Sequence, residues 1–227
     1  MMNKKGLFIV LEGGEGSGKT TISKKLQQVL EESGYNTLLT REPGGDPVSE
    51  MIRNVIIHSD DIDPFTQLVL IAASRKRNID LCIKPALEKN NIVICDRFGL
   101  STIIYQGIVQ GISLMNISKV FAATGVYLIK PDIEIVLDVD PKVGLNRVMT
   151  NDREVSAIDR KGLEFHTKVN EAYLKHSYRN ESGYRFDVDA NRELDDVFTN
   201  VVNLITQVLR TDKRFKNAGT DIKEMSS

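Results

Sequence analysis

At 227 residues the chain is long enough for one sizeable α/β domain with its own core and too short to read as two. Composition is ordinary, 41% hydrophobic and 27% charged, and a net charge of −1 leaves no bulk electrostatic footprint for nucleic acid or a membrane surface. Two cysteines, Cys82 and Cys95, cannot build a disulfide framework and suit a reducing cytosol.

Met1 to Lys5 followed by apolar residues looks superficially like a leader, but Glu12 ends the apolar run too early for one, so a cytoplasmic protein is expected. No run approaches the roughly 18 residues of a membrane span. Leu7-Phe8-Ile9-Val10-Leu11 reads as a buried parallel strand. It leads into Gly13-Gly14-Glu15-Gly16-Ser17-Gly18-Lys19-Thr20, the phosphate-binding loop pattern, and a helix follows with Ile22, Leu26, Val29 and Leu30 on one face. In that context the glycines let backbone N–H groups converge on phosphate oxygens. Lys19 reaches the outer phosphates, and the Thr20 hydroxyl can ligate Mg²⁺.

The first helix ends at Gly34, and Thr37 to Thr40 reads as a second strand that delivers the chain into Arg41-Glu42-Pro43-Gly44-Gly45. Pro47 to about Asn90 is helical in character, with Phe65, Leu68, Val69, Ile71 and Ala72 forming an apolar band, and Pro85 begins or kinks its last piece. Ile92 to Cys95 is a third strand ending in Asp96-Arg97, with Cys95 as a small core residue and helix from there to about Leu128. Ile133 to Val139 is a fourth strand, and Pro141 opens a helix with Val143, Leu145 and Val148 apolar. From Thr150 to Gly162 the pattern dissolves into charge, the signature of a mobile lid; helix resumes from Leu163 to about Ser177. Tyr184 to Asp189 alternates like a short strand, Leu194 to Leu209 is a periodic last helix, and residues 211–227 form a polar, frayed tail. Alternating strands and helices imply a doubly wound, mostly parallel sheet with its ligands at the strand C-terminal ends.

Three chemical loops should meet there. Asp96, at a strand end facing the phosphate loop, can hold Mg²⁺ or its water. Arg41, Arg75 and Arg97 supply fork-shaped donors for a second, dianionic phosphate. The charged segment from Arg147 to Arg160 could be a solvated loop, or a lid that lays arginines against a transferring phosphoryl group. A phosphate acceptor needs no general base, being mostly dianionic at pH 7, so His58, His166 and His176 read as surface or partly buried residues.

Gly13 to Thr20, Thr40 to Gly45, Asp96-Arg97-Phe98 with Ser101-Thr102 and Tyr105-Gln106-Gly107, Leu137 to Pro141 with Val143-Gly144-Leu145, and Gly162 to His166 together resemble the thymidylate kinase family, in that family's order. The resemblance implies a three-layer α/β fold of the P-loop nucleotide kinase type, one domain over residues 1–210 with a lid at about 150–162. It implies Mg²⁺-dependent transfer of the ATP γ-phosphate to dTMP by a homodimer. Lys19 and Thr20 would belong to ATP and metal, Glu15 to the deoxyribose 3′-hydroxyl, and Arg41 and Arg97 to the dTMP phosphate. Arg75 would donate to thymine, with Thr102, Tyr105 and Gln106 completing the nucleoside pocket. Ile71 stands where that family usually has a phenylalanine stacked on thymine, so base stacking would weaken unless Phe98 or another aromatic compensates. The loop carries no arginine, which resembles the bacterial subgroup with catalytic arginines in the lid; Arg153 and Arg160 are the two candidates. The alternatives are another nucleoside monophosphate kinase, or a P-loop regulatory ATPase with no nucleotide acceptor. A GTP-binding switch is disfavoured, since no Asn-Lys-x-Asp segment occurs.

Overall fold

A computed structural model describes residues 6–151, 155–176 and 183–212. Five strands, β1 (Leu7–Gly13), β2 (Thr37–Arg41), β3 (Ile92–Asp96), β4 (Ile133–Asp138) and β5 (Tyr184–Asp189), form one sheet in the order β2-β3-β1-β4-β5. All four pairings are parallel, so the expected mostly parallel sheet is wholly so. Its strands need crossovers, and the helices between them supply these: α1 (Lys19–Glu32), α2 (Pro47–His58), α3 (Pro64–Asn78), α4 (Lys84–Glu88), α5 (Gly99–Thr102), α6 (Leu114–Thr124), α7 (Pro141–Thr150) and α8 (Leu163–Lys175), while α9 (Leu194–Thr211) follows the last strand.

Side-chain alternation along the strands feeds two cores. Leu7, Ile9 and Leu11 of β1 point to the face covered by α1 and α9, where Ile22, Leu26, Val201 and Ile205 are fully buried. Phe8 and Val10 point to the other face, against Leu68 of α3, Ile83, and Phe121 of α6. This gives three layers around a sheet buried on both sides, which is why the central strands read as continuous apolar runs.

The long helical stretch after Pro47 is in fact several pieces. Asp63 accepts hydrogen bonds from the N–H groups of Phe65 and Thr66, and Pro64 follows it, so α3 starts afresh beyond residues 59–63. A π-helical turn at Ile79–Ile83 precedes Pro85, and another at Ile103–Val109 ends before α6 begins under its Ser113 cap. The apolar band predicted on α3 needs correction. Leu68, Ile71 and Ala72 are buried, but Phe65 and Val69 are half exposed, because the helix turns its polar side, including Gln67, Ser74, Arg75 and Asn78, inward. His166 is also corrected: it is fully buried, while His58 is exposed and His176 intermediate. The last helix runs to Thr211, slightly past its expected end; the tail from residue 213 lies outside the described residues.

Candidate active site

At the C-terminal end of β1 the loop closes over α1 through Gly18, whose φ of 88° only glycine adopts without strain and which contributes no side-chain cap. The first N–H groups of α1 are therefore open to an anion. Gly16 has a second reason to be glycine: at φ 71°, a Cβ there would fall 2.0 Å from the Gly144 carbonyl oxygen. The loop thus packs directly on the start of α7, which Asp140 caps through the N–H groups of Lys142 and Val143.

Lys19 folds back over the loop and donates to the carbonyls of Gly13 (3.1 Å) and Gly14 (2.7 Å) and to the Ser17 hydroxyl (3.1 Å). Burial, then the neighbouring Arg97 guanidinium, pulls its pKa down to about 8. A polyanion in the loop would reverse that bias. Thr20 donates to an Asp96 carboxylate oxygen at 2.6 Å, so the two hard oxygen groups named for a metal are adjacent.

Arg97 follows β3 with a left-handed backbone, φ 71°, a conformation that costs a non-glycine residue about 1–3 kcal/mol and is held here from outside. Glu12, buried at the end of β1, supplies that hold. Its carboxylate accepts from the N–H groups of Phe98 (2.9 Å) and Ser101 (3.2 Å), from the Ser101 hydroxyl (2.5 Å) and from the Tyr173 hydroxyl (3.1 Å). Arg97 then reaches back to the Gly13 carbonyl (3.0 Å) and the Glu15 carboxylate (2.6 Å), and Tyr105 donates to the same Glu15 oxygen at 3.1 Å. A cavity of about 730 Å³ runs from Glu15 and the rest of the loop to Arg41, Arg53 and Arg97, and also reaches Arg147 and Arg192. Arg41 pairs with Glu50 at 2.7 Å; Arg53 donates to the Pro43 carbonyl, and burial, then Arg41, lowers its pKa.

The remaining predicted side chains lie off that cavity wall. Arg75 is buried, bonded through Nε to Glu42 and through Nη2 to the Phe98 carbonyl at 2.8 Å. Glu42 is as buried as its partner; burial pushes its carboxyl up, and Arg75 opposes this. Ile71 sits one turn before Arg75 on α3, and Thr102 and Gln106 are buried on the segment across from it. Arg75 Nη1 and Thr102 Oγ1 have no hydrogen-bond partner among the described residues. Phe98 cannot serve as a stacking platform: its ring is buried edge-on against Phe8 and lies 5.3 Å from the Arg75 guanidinium. Of the two lid candidates, Arg153 lies outside the described residues. Arg160 bonds to Asp60 at 2.7 Å and to the Val155 carbonyl, off the cavity wall.

Sequence reasoning missed Glu12, Glu42 and Arg53. A carboxylate interrupting an apolar strand just before the loop was the one available signal for Glu12. Glu42 sits inside a quoted motif without a role of its own, and nothing local marks Arg53.

A glycine loop and uncapped helix facing a second cationic wall across one cavity define a class: a phosphate-loop nucleotide-binding protein with space for a second phosphorylated ligand. Comparison with known proteins narrows this. The thymidylate kinase family model matches residues 11–201. A thymidylate kinase of Clostridium novyi is 42% identical over 205 residues, 88% of this chain and 98% of that one. One of Halalkalibacterium halodurans is 39% identical over 212 residues, covering 90% and 98%. The crystal structure of a thymidylate kinase from Ehrlichia chaffeensis superimposes with a TM-score of 0.70 at 31% identity, covering 88% of this chain and 98% of that one. The chain belongs to the thymidylate kinase family.

Proposed function

We propose that the protein transfers the γ-phosphoryl group of ATP to dTMP, giving ADP and dTDP. The observation that carries this reading is Arg97, which bonds at once to the phosphate loop and to Glu15 while lining one cavity with Arg41 and Arg53. A donor polyphosphate on the loop and an acceptor phosphate on these arginines would then meet end to end, the arrangement an in-line transfer needs.

Within that reading, loop residues Gly13 to Thr20 hold the ATP phosphates, and Lys19 offsets charge developing on the transferred group. The acceptor phosphate, already mostly dianionic at pH 7, is held by Arg41, Arg53 and Arg97 and attacks without a protein base. Glu15 takes the deoxyribose hydroxyl beside Tyr105, and the base enters between Ile71, Arg75, Thr102 and Gln106. The unpartnered Arg75 and Thr102 atoms support this, since a buried donor without a partner costs about 1–3 kcal/mol until a ligand meets it.

Mg²⁺ would sit with the ATP phosphates beside Thr20 and Asp96. A hydroxyl and a carboxylate oxygen in contact fit that hard cation, which would supply charge neutralisation at the phosphates. Among the described residues no cluster of three or more His, Cys, Asp or Glu side chains could hold a metal by itself.

The charged lid closes over the transfer site with Arg153 or Arg160. For Arg160 this requires release from Asp60, an exposed pair worth at most about 1 kcal/mol. Replacing each arginine by alanine should lower kcat at least tenfold in one of the variants; full kcat in both would refute the lid.

The protein acts in the cytosol as a homodimer, which two free cysteines and an apolar face support. That face comprises Met51 and Val55 of α2, Phe65 and Val69 of α3, and Leu114 and Met115 of α6, all exposed over about half of their surface. A monomer in sedimentation at micromolar concentration would contradict the dimer.

The test of the acceptor site is calorimetric titration with dTMP alone. Saturable binding that persists without ATP is expected. A protein that binds ATP but shows no heat with dTMP would instead be a P-loop ATPase without an acceptor.

A further inference from the structure

Two facing surfaces carry an ordered set of amides. Along α3, Gln67, Ile71 and Arg75 recur every fourth residue and share one side of the helix. On the segment across from them, Thr102, Gln106 and Gln110 recur at the same interval through α5 and the π-helical turn. The carbonyl oxygen of Gln67 accepts from the amide nitrogens of both Gln106 (3.0 Å) and Gln110 (3.1 Å). Three of the six buried polar atoms without a partner among the described residues, Arg75 Nη1, Thr102 Oγ1 and Gln110 Oε1, lie on these two surfaces.

A glutamine amide can turn over, exchanging a donor for an acceptor at the same place. Gln106 can turn alone only by giving up its bond to Gln67, and Gln67 cannot turn with it without also losing or turning Gln110, which shares the same oxygen. The end left for a ligand is its oxygen, which has no partner among the described residues.

We propose that Gln67 is a specificity-determining positioning residue: it fixes the Gln106 amide so that only a base with an N3–H donor is accepted. The proposal rests on the reading of these two facing surfaces as the thymine site. Thymine offers the O4 acceptor and the N3–H donor side by side, which match Arg75 Nη1 and the Gln106 oxygen. Cytosine offers an N4 amino donor and a bare N3 acceptor, which set donor against donor and acceptor against acceptor. Arg75 cannot adapt, being pinned by Glu42 and the Phe98 carbonyl. Gln106 could adapt by turning over, and Gln67 is what stops it. Gln67 itself touches no part of the base.

Binding of dTMP and dCMP to the wild type, Gln67→Met and Gln67→Glu tests this, read as the ratio of the two Kd values and of the two kcat/KM values. Gln67→Met keeps the volume and removes the acceptor, so dTMP should weaken and its preference over dCMP should fall at least about tenfold, as expected when a fixed hydrogen bond stops discriminating. Gln67→Glu keeps an acceptor for both amide nitrogens and should hold the wild-type ratio. A role confined to packing would weaken both nucleotides together and leave the ratio alone. An unchanged ratio in folded Gln67→Met, or a relaxed one in Gln67→Glu, would overturn the proposal while the thymine reading survived. A wild type with no preference for dTMP over dCMP would remove the thymine reading and this inference with it.

Discussion

Lys19→Ala is expected to lower kcat by at least about a hundredfold, the scale on which removing one preorganised charge-stabilising donor acts. Lys19 is nearly buried and its ammonium is held by three oxygens of the loop itself. That network positions it without any contact from the acceptor side. Folding should survive, because burial already disfavours the charged amine, as its pKa of about 8 records, and deletion removes that cost along with the bonds. Binding of dTMP measured without ATP should be close to wild type, since Arg41, Arg53 and Arg97 remain. Single-turnover rates and thermal melting together check this. A folded variant with kcat within about threefold of wild type would contradict the role given to Lys19, given the scale above.

Glu42→Ala should be the most destabilising of the site substitutions, by about 3–5 kcal/mol, the cost of leaving one member of a buried ion pair unpaired. Arg75 would keep its charge, with 2% of its surface exposed, and lose the carboxylate on Nε. The damage extends further, because Asn78 donates to the other Glu42 oxygen at 3.3 Å and accepts from Thr40 at 2.9 Å. For a domain of this size that is a fall in Tm of roughly 6–20 °C. Replacing both partners, Glu42→Leu with Arg75→Met, should restore part of the stability, since an apolar pair avoids burying charge. It should not restore dTMP binding, because the donor to the base is gone. A single variant melting within about 2 °C of wild type, less than 1 kcal/mol on that scale, would show that Glu42 and Arg75 are not the coupled pair their geometry implies.

Much of this was legible in the amino-acid order, for identifiable reasons. A sheet buried on both faces forces apolar runs, so β1, β3 and β4 stand out. The phosphate loop stands out because its glycines answer local demands, left-handed φ at Gly16 and Gly18. Helix α3 misled, since apolar count says nothing of direction. Its polar side meets the Glu42 loop and the Gln106 segment, and its apolar Phe65 and Val69 face outward. Glu12 and Glu42 were not legible in role, because their partners are distant in sequence: Ser101 and Tyr173 for one, Arg75 for the other. Phe98 failed as a thymine platform for the same reason, its neighbour Phe8 lying far back in the sequence on β1. Local chemistry is written locally; burial partners are set by the fold.

The most direct measurement is ADP release from ATP and Mg²⁺ on addition of each nucleoside monophosphate in turn. Turnover should be fastest with dTMP, with dTDP formed in equal amount. Equal or faster turnover with AMP, GMP or dCMP, or ADP release that no monophosphate stimulates, would contradict a dTMP kinase.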